Sequence, residues 1–269
     1  MRRALSLLFF LFVAHAVPGE GRDEEVLVGA ASRFDPVPWA GNRFSTAVLT
    51  APGWLGLVER PELLYGQLSS EGILDGDNLL CVRSRGFGFA TESFHVLEDR
   101  ETRRYVVALG RLFTRGWAVG LSYSWYSSDD GDLDDLTSWD IGIAGRPHPR
   151  IEVSATGRNL LRTELGPKEL GRFYEAGVRG FLVPRRLTLF AQARHFRGDD
   201  YEEMIPVGGV EFFPTTYLAL RGRADTDGNQ GLGIEIIFDT ASIGFHYRFE
   251  EGRENGSLAY VKLHVPRGP

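Results

Sequence analysis

The chain has 269 residues, of which 43% are hydrophobic and 25% charged, and its formal charge is −6. That acidic balance argues against generic nucleic-acid binding, and a single cysteine, Cys81, excludes an internal disulfide. Past the N-terminus no run approaches the roughly 20 continuous apolar residues of a membrane-crossing helix.

Residues 1–16 read as a secretory signal peptide. Arg2 and Arg3 supply the positive start, residues 4–13 the short apolar core, and Ala14-His15-Ala16 the small-residue cleavage pattern. Cleavage removes both of these arginines and no carboxylate, so the mature chain is more acidic still. Cys81 lies well past this site, so it is not a lipid-anchored terminus; it reads as a half-buried strand residue near Arg83 and Arg85. Residues 17–60 form an N-terminal lead or plug segment. Its first part is polar and irregular, with Val26-Leu27-Val28-Gly29-Ala30-Ala31 as a short strand or tucked segment. Thr50-Ala51-Pro52-Gly53-Trp54-Leu55-Gly56 then has the pattern of a turn and helix start.

From residue 61 to 269 the pattern is that of strands. The period is clearest in residues 117–125, where Trp117, Val119, Leu121, Tyr123 and Trp125 alternate with Ala118, Gly120, Ser122 and Ser124. A period of two gives a strand two different faces. The length matches a bilayer crossing of about 9–11 residues, and the aromatic ends match two membrane interfaces. The same reading places strands near 62–69, 78–85, 86–95, 103–113, 117–127, 137–146, 151–160, 172–183, 187–197, 205–213, 217–224, 231–238, 241–249 and 256–265. Tight links such as Thr114-Arg115-Gly116, Pro184-Arg185-Arg186 and Pro214-Thr215-Thr216 alternate with longer polar ones through the C-terminal two-thirds. Such alternation is the signature of short periplasmic turns and longer extracellular loops. The fold class is therefore all-β: a transmembrane antiparallel up-and-down barrel of about fourteen strands. The competing architecture, a water-soluble β-protein with its charged face in solvent, accounts less well for the export signal, the aromatic ends and the loop alternation.

The two faces separate cleanly. One set of alternate positions collects Asp140, Glu152, Arg158, Glu175, Arg179, Arg194, Glu211, Arg221, Arg223, Glu235 and Arg248. A cation on the lipid face at mid-bilayer costs about 2–4 kcal/mol, so these residues are assigned to the lumen. There Arg158, Arg179, Arg221 and Arg223 are expected to pair with Glu152, Glu175, Glu211 and Glu235 and nearly close it. The opposite face is assigned to lipid, with Trp117, Tyr123, Trp125, Trp139, Phe245 and Tyr247 as interface aromatics.

Several short motifs add a family likeness. They are Pro52-Gly53-Trp54-Leu55-Gly56, Glu62-Leu63-Leu64-Tyr65, Gly86-Phe87-Gly88-Phe89 and Gly157-Arg158-Asn159-Leu160. Val207-Gly208-Gly209-Val210-Glu211-Phe212, Leu218-Ala219-Leu220-Arg221-Gly222 and Gly231-Leu232-Gly233 complete the set. In this order they resemble the shorter outer-membrane barrels of the PorV/FadL-like class, and are similar to the barrel fused to SppA-like peptidases. The resemblance implies an outer-membrane location and either of two roles. One is passage of small hydrophobic or amphipathic solutes through a narrow charged lumen; the other is a scaffold for a secreted or periplasmic protein partner.

Candidate chemistry is sparse. Asp129, Asp130, Asp132, Asp134 and Asp135 share one loop and offer weak carboxylate ligands for a divalent cation, against a plain solvated loop. Asp225-Thr226-Asp227-Gly228-Asn229 begins like a calcium loop but loses the spacing at Gln230, and reads as a turn. The six histidines fall in no metal-ligand spacing and no nucleophile motif is present. Interleaved arginines make ion pairing the account of the glutamates in preference to acid–base work. The reading is of a non-enzyme without cofactors, whose partners are outer-membrane lipid and a solute or protein, with no nucleic acid.

Overall fold

The computed structural model describes residues 46–70, 73–96, 100–128, 134, 136–160, 164–165, 168–169, 172–197, 202–226, 228–249 and 256–265. Residues 1–16, read from the sequence as a signal peptide, and the first part of the expected lead segment lie outside these residues.

Fourteen antiparallel strands close into a barrel. In chain order they are β1 (Glu62–Ser70), β2 (Ile73–Ser84), β3 (Phe87–Val96), β4 (Arg100–Thr114), β5 (Trp117–Ser128), β6 (Thr137–His148) and β7 (Ile151–Arg158). They continue with β8 (Arg172–Val183), β9 (Leu187–Arg197), β10 (Glu202–Thr215), β11 (Leu218–Asp225), β12 (Gln230–Ile237), β13 (Ala241–Phe249) and β14 (Gly256–His264). Every strand pairs with its neighbours in sequence, and β1 pairs with β14 from Glu62↔His264 to Ser70↔Gly256. Closure leaves no unpaired edge, the condition for a sheet to cross lipid. The second strand begins at Ile73, earlier than the apolar alternation indicated, because it pairs back to Ser70. A two-residue ribbon, Glu164–Leu165 against Lys168–Glu169, forms inside the link read as irregular.

Alternation sets the two surfaces. Leu109, Ile141, Leu232 and Ile243 on the outer face are 46–60% exposed, while Ala108, Asp140, Glu235 and Ser242 beside them on the same strands are nearly inaccessible. The tight connections sit at one rim. There the ladder slips between Leu112 and Thr114, Gly145 and His148, Phe181 and Val183, and Phe212 and Thr215. Pro147 and Pro214 fall within two of these bulges, as expected of residues with no N–H to give the ladder.

Residues 46–58 do not belong to the wall. They form a short helix (Ala47–Thr50) and a 3-10 helix (Pro52–Leu57) inside the barrel. Pro52 at the start of the second helix suits a position that needs no N–H. Fourteen strands enclose more space than wall side chains fill in an eight-stranded barrel, and this segment occupies part of the difference.

Candidate functional site

The lumen has two unlike halves. One is built for the plug. Val48, Leu49, Leu55 and Val58 pack against Leu64, Leu79, Cys81, Ala90, Val106, Ala108, Leu258 and Tyr260 in one buried apolar cluster. Each fully buried side chain of this kind contributes about 1.5–3 kcal/mol. Cys81 is completely buried, where the sequence suggested a half-buried residue, because the plug covers it.

Close approach of plug and wall depends on inward glycines. A Cβ on Gly110 would lie 2.6 Å from the Gly56 nitrogen, and one on Gly120 would collide with the Pro52 carbonyl. From the plug side, a Cβ on Gly53 would lie 2.9 Å from the Ala144 nitrogen. Backbone therefore lies on backbone across β4, β5 and β6, which only glycine permits. The contact is also hydrogen-bonded: the Gly86 N–H donates to the Leu55 carbonyl at 2.9 Å, and Arg158 Nη2 donates to the Leu49 carbonyl at 3.0 Å. The guanidinium thus meets the C-terminal carbonyls of the short helix, where a cation is favoured.

The other half carries charge. Arg146, Glu152, Arg179, Glu211, Arg221, Glu235 and Lys262 form a chain of alternating sign around the wall. Arg179 Nη2 donates to both oxygens of Glu211 at 3.0 Å, and Lys262 Nζ lies 2.7 Å from Glu235. Arg221 bridges Glu211 and Glu235 and donates to the Tyr260 hydroxyl at 3.4 Å. Ser242 donates to Glu235 as well. Register explains the order: Glu152 lies opposite Arg179 and Glu211 opposite Arg221. Each member lies in the half of its strand nearer the tight turns. Arg146 also reaches Glu59 where the chain leaves the lumen, at 3.4 Å.

A second charged group covers the plug on the long-loop side. Arg104 bonds Glu92 at 3.2 Å and approaches Asp140 at 4.0 Å; Arg158 lies 3.7 Å from Asp140. Asp140 accepts from the Asn159 N–H at 3.0 Å, holding Asn159 at a φ of 52°, a conformation asparagine tolerates. Buried charges are kept where opposite charges and hydrogen bonds offset their desolvation.

Of the eleven charges assigned to the lumen from the sequence, eight are buried and three half-buried. Asp140, Glu152, Arg158, Arg179, Glu211, Arg221, Arg223 and Glu235 are buried; Glu175, Arg194 and Arg248 are half-buried. Arg179 and Arg221 pair with Glu152, Glu211 and Glu235, whereas Arg158 joins Asp140 and the plug. Glu92, Arg104, Arg146 and Lys262 belong to the same networks and were missed. Their strand parity would have found Glu92, Arg104 and Lys262.

On the lipid face, Tyr105, Trp125, Tyr123 and Trp139 form a run of ring contacts with centroids 4.9–5.9 Å apart. Tyr247 meets Phe249 edge-on at 4.6 Å, Phe245 is exposed, and the Trp117 ring lies over Gly145. Of the acidic loop, Asp129, Asp130, Asp132 and Asp135 lie outside the described residues, and Asp134 accepts from the Ser128 N–H at 3.2 Å. Among the described residues no group of three or more ligand-type side chains could hold a metal ion. Asp225 closes its own turn, accepting from the Asn229 N–H at 3.0 Å with Gly228 at a φ of 84°.

No family model matches the chain, and no curated protein matches it in sequence. Solved structures match in fold. The Pseudomonas putida toluene transporter TodX aligns with a TM-score of 0.61 at 9% identity, over 84% of this chain and 95% of its own. The CymD monoaromatic hydrocarbon channel gives 0.58 at 10%, over 90% and 99%. The Ralstonia pickettii toluene transporter TbuX gives 0.58 at 10%, over 84% and 94%. At such identities the shared property is the fold. The FadL-like part of the sequence resemblance is thereby supported as a fourteen-stranded barrel; the PorV part rests on the short motifs alone.

Proposed function

We propose that the protein is an outer-membrane channel for small hydrophobic or amphipathic solutes, kept closed to ions by its plug and its charged wall. The observation that carries this reading is the asymmetry of the lumen. An apolar half is occupied by a segment of the same chain that a solute can displace, and the facing half is held shut by paired charges. Structural neighbours described as hydrocarbon transporters and channels add support at the level of fold. A lumen lined in this way disfavours free ion passage, since each ion would have to replace buried, partnered groups. The scaffold role, in which the barrel holds a secreted or periplasmic protein, keeps the motif resemblance as its support.

The test is reconstitution into planar bilayers and liposomes. The wild type should show little steady ion conductance together with saturable uptake of small neutral aromatic solutes. A large steady conductance, unchanged in Arg221→Ala, overturns the closed lumen. Absence of solute uptake, with a protein partner copurifying from solubilised outer membranes, favours the scaffold.

A further inference from the structure

The tight-turn rim carries positive charge along one side. The turns β2–β3, β4–β5, β6–β7 and β8–β9 are Arg85-Gly86, Arg115-Gly116, Pro149-Arg150 and Pro184-Arg185-Arg186, with cations and no carboxylate. The turns β10–β11 and β12–β13, Thr216-Tyr217 and Phe238-Asp239-Thr240, hold no cation. Backbone bonds tie each basic turn to the hairpin that follows. The Gly110 N–H donates to the Gly86 carbonyl at 3.0 Å, and the Arg146 N–H to the Gly116 carbonyl at 2.7 Å. The Phe181 N–H donates to the Arg150 carbonyl at 2.9 Å, and the Phe213 N–H to the Arg186 carbonyl at 2.8 Å. The basic turns therefore stand side by side as one continuous arc.

The charge on this arc is not neutralised within the protein. Arg85, Arg111, Arg115, Arg150, Arg185 and Arg186 are exposed, and among the described residues none of them forms an ion pair. Arg146 on the same arc differs, being paired with Glu59 and Glu152. Composition does not explain the arc, since the chain is acidic overall at −6. In the sequence the opposite sign gathers in the long links: residues 129–136 hold five aspartates and 198–204 four carboxylates, neither with a cation. Arg111 gives the height of the arc. It falls between Leu109 and Phe113, which are 56% and 57% exposed on the outer face. Its ladder partner is Val119, and on the other side the ladder stops at Phe87–Leu109, so Arg111 stands beside the β2–β3 turn. A lipid-facing arginine is costly at mid-bilayer and tolerated near an interface. Close to the end of its strand, it can lay its stem on the apolar belt and hold its head at the headgroup level.

We propose that this arc, from β2 to β9, is a binding surface for anionic phospholipids in the leaflet on the tight-turn side. The guanidinium groups take the headgroup phosphates in charge-assisted, forked hydrogen bonds. The acyl chains lie on Leu109, Phe113 and Leu182 immediately beside them. A zwitterionic lipid offers the same phosphate, but its own ammonium group cancels the attraction at longer range, so the arc selects net negative charge. A soluble acidic partner would use the turn tips and gain nothing from Arg111, which lies in the lipid-facing row. The proposal does not depend on whether a solute crosses the barrel.

The experiment uses the whole protein in phosphatidylcholine bilayers, with chain-spin-labelled phosphatidylglycerol or phosphatidylcholine as the probe. Electron spin resonance reads the fraction of label held at the protein surface. Phosphatidylglycerol should associate more strongly, by about fivefold at a position beside an arginine. The preference should shrink in 1 M salt, where the screening length falls to about 3 Å. That wild-type comparison stands without any variant. A variant carrying Arg85→Gln, Arg111→Gln, Arg115→Gln and Arg150→Gln should remain a heat-modifiable barrel, because these side chains are exposed, and should lose most of the preference. Arg103→Gln, on the long-loop side and paired with Glu101, should keep it. Equal association of the two lipids with the wild type overturns the proposal, as does a preference that the fourfold variant retains. Equal lipid association together with salt-sensitive capture of soluble polyglutamate, lost in the fourfold variant, also overturns it and assigns the arc to an acidic polypeptide.

Discussion

The two halves of the lumen solve the same problem with opposite chemistry. Both must fill space that fourteen strands leave over. The side formed by β1–β4 and β14 is filled mainly by small and apolar side chains and a separate piece of chain, with the Arg104–Glu92 pair above it. The side formed by β6–β12 uses long charged side chains that neutralise one another and end on Lys262 of β14. The apolar half gains by area and tolerates sliding, because dispersion and hydrophobic contacts have little directionality. The charged half gains only when every partner is in place, because a charge left alone in low dielectric is far more costly than a lost apolar contact. On the proposed transport reading, a segment that a solute displaces belongs on the first surface, and a rigid wall is served by the second. Arg158 joins them, with one nitrogen on the plug and another beside Asp140.

The largest break in this comparison should come from one atom group on the plug side. Gly120→Val would place side-chain carbon on the Pro52 carbonyl, where backbone cannot yield. The barrel should still form and remain heat-modifiable, since the residue is otherwise compatible with a strand. The plug should be displaced, giving a steady conductance that the wild type lacks and new protease cleavage within residues 46–58. A closed, protease-resistant variant would mean that the plug is not held by close backbone approach.

The charged half should fail by a smaller and graded amount. Glu235 is surrounded by Arg221, Lys262 and Ser242. Glu235→Gln should lower stability by about 3–5 kcal/mol, the usual loss when one partner of a buried pair is removed. Removing a cation as well, in Glu235→Gln with Lys262→Met, should cost less than the single change. Urea titration of the liposome-folded barrel measures both; an additive double variant would deny that the pair acts as a unit.

The smallest effects belong to the outer surface. Trp125→Ala removes stacking with Tyr105 and Tyr123 and should cost about 0.5–1.5 kcal/mol beyond lost area. Arg103 and Glu101 are paired but more than 40% exposed, and Arg103→Ala should leave the urea midpoint where it was. A shift as large as that of Glu235→Gln would erase the distinction between buried and exposed pairs.

Much of this arrangement was legible from residue order. Alternation in residues 117–125 and 241–249 located strands and assigned each side chain to lipid or lumen, because a period of two leaves no third choice. The prolines and glycines of the tight links marked one rim. The parity rule also placed Arg179, Glu211 and Arg221 on one surface. Ring spacing along β5 put Tyr123 and Trp125 at an interface.

What alternation could not supply was the third dimension. Whether Arg158 meets a glutamate or Asp140 depends on register and bulges in strands far apart in sequence, and on a plug that crosses the lumen. The plug itself looked like a turn and a helix start, since residues 46–58 are too few and too mixed to announce what they pack against. Gly110, Gly120 and Gly142 read as small strand residues; only the packed barrel makes them a track for another backbone. Local order determines which face a residue presents, a property of two or three neighbours. Closure of the sheet decides which faces meet, a property of the whole chain at once.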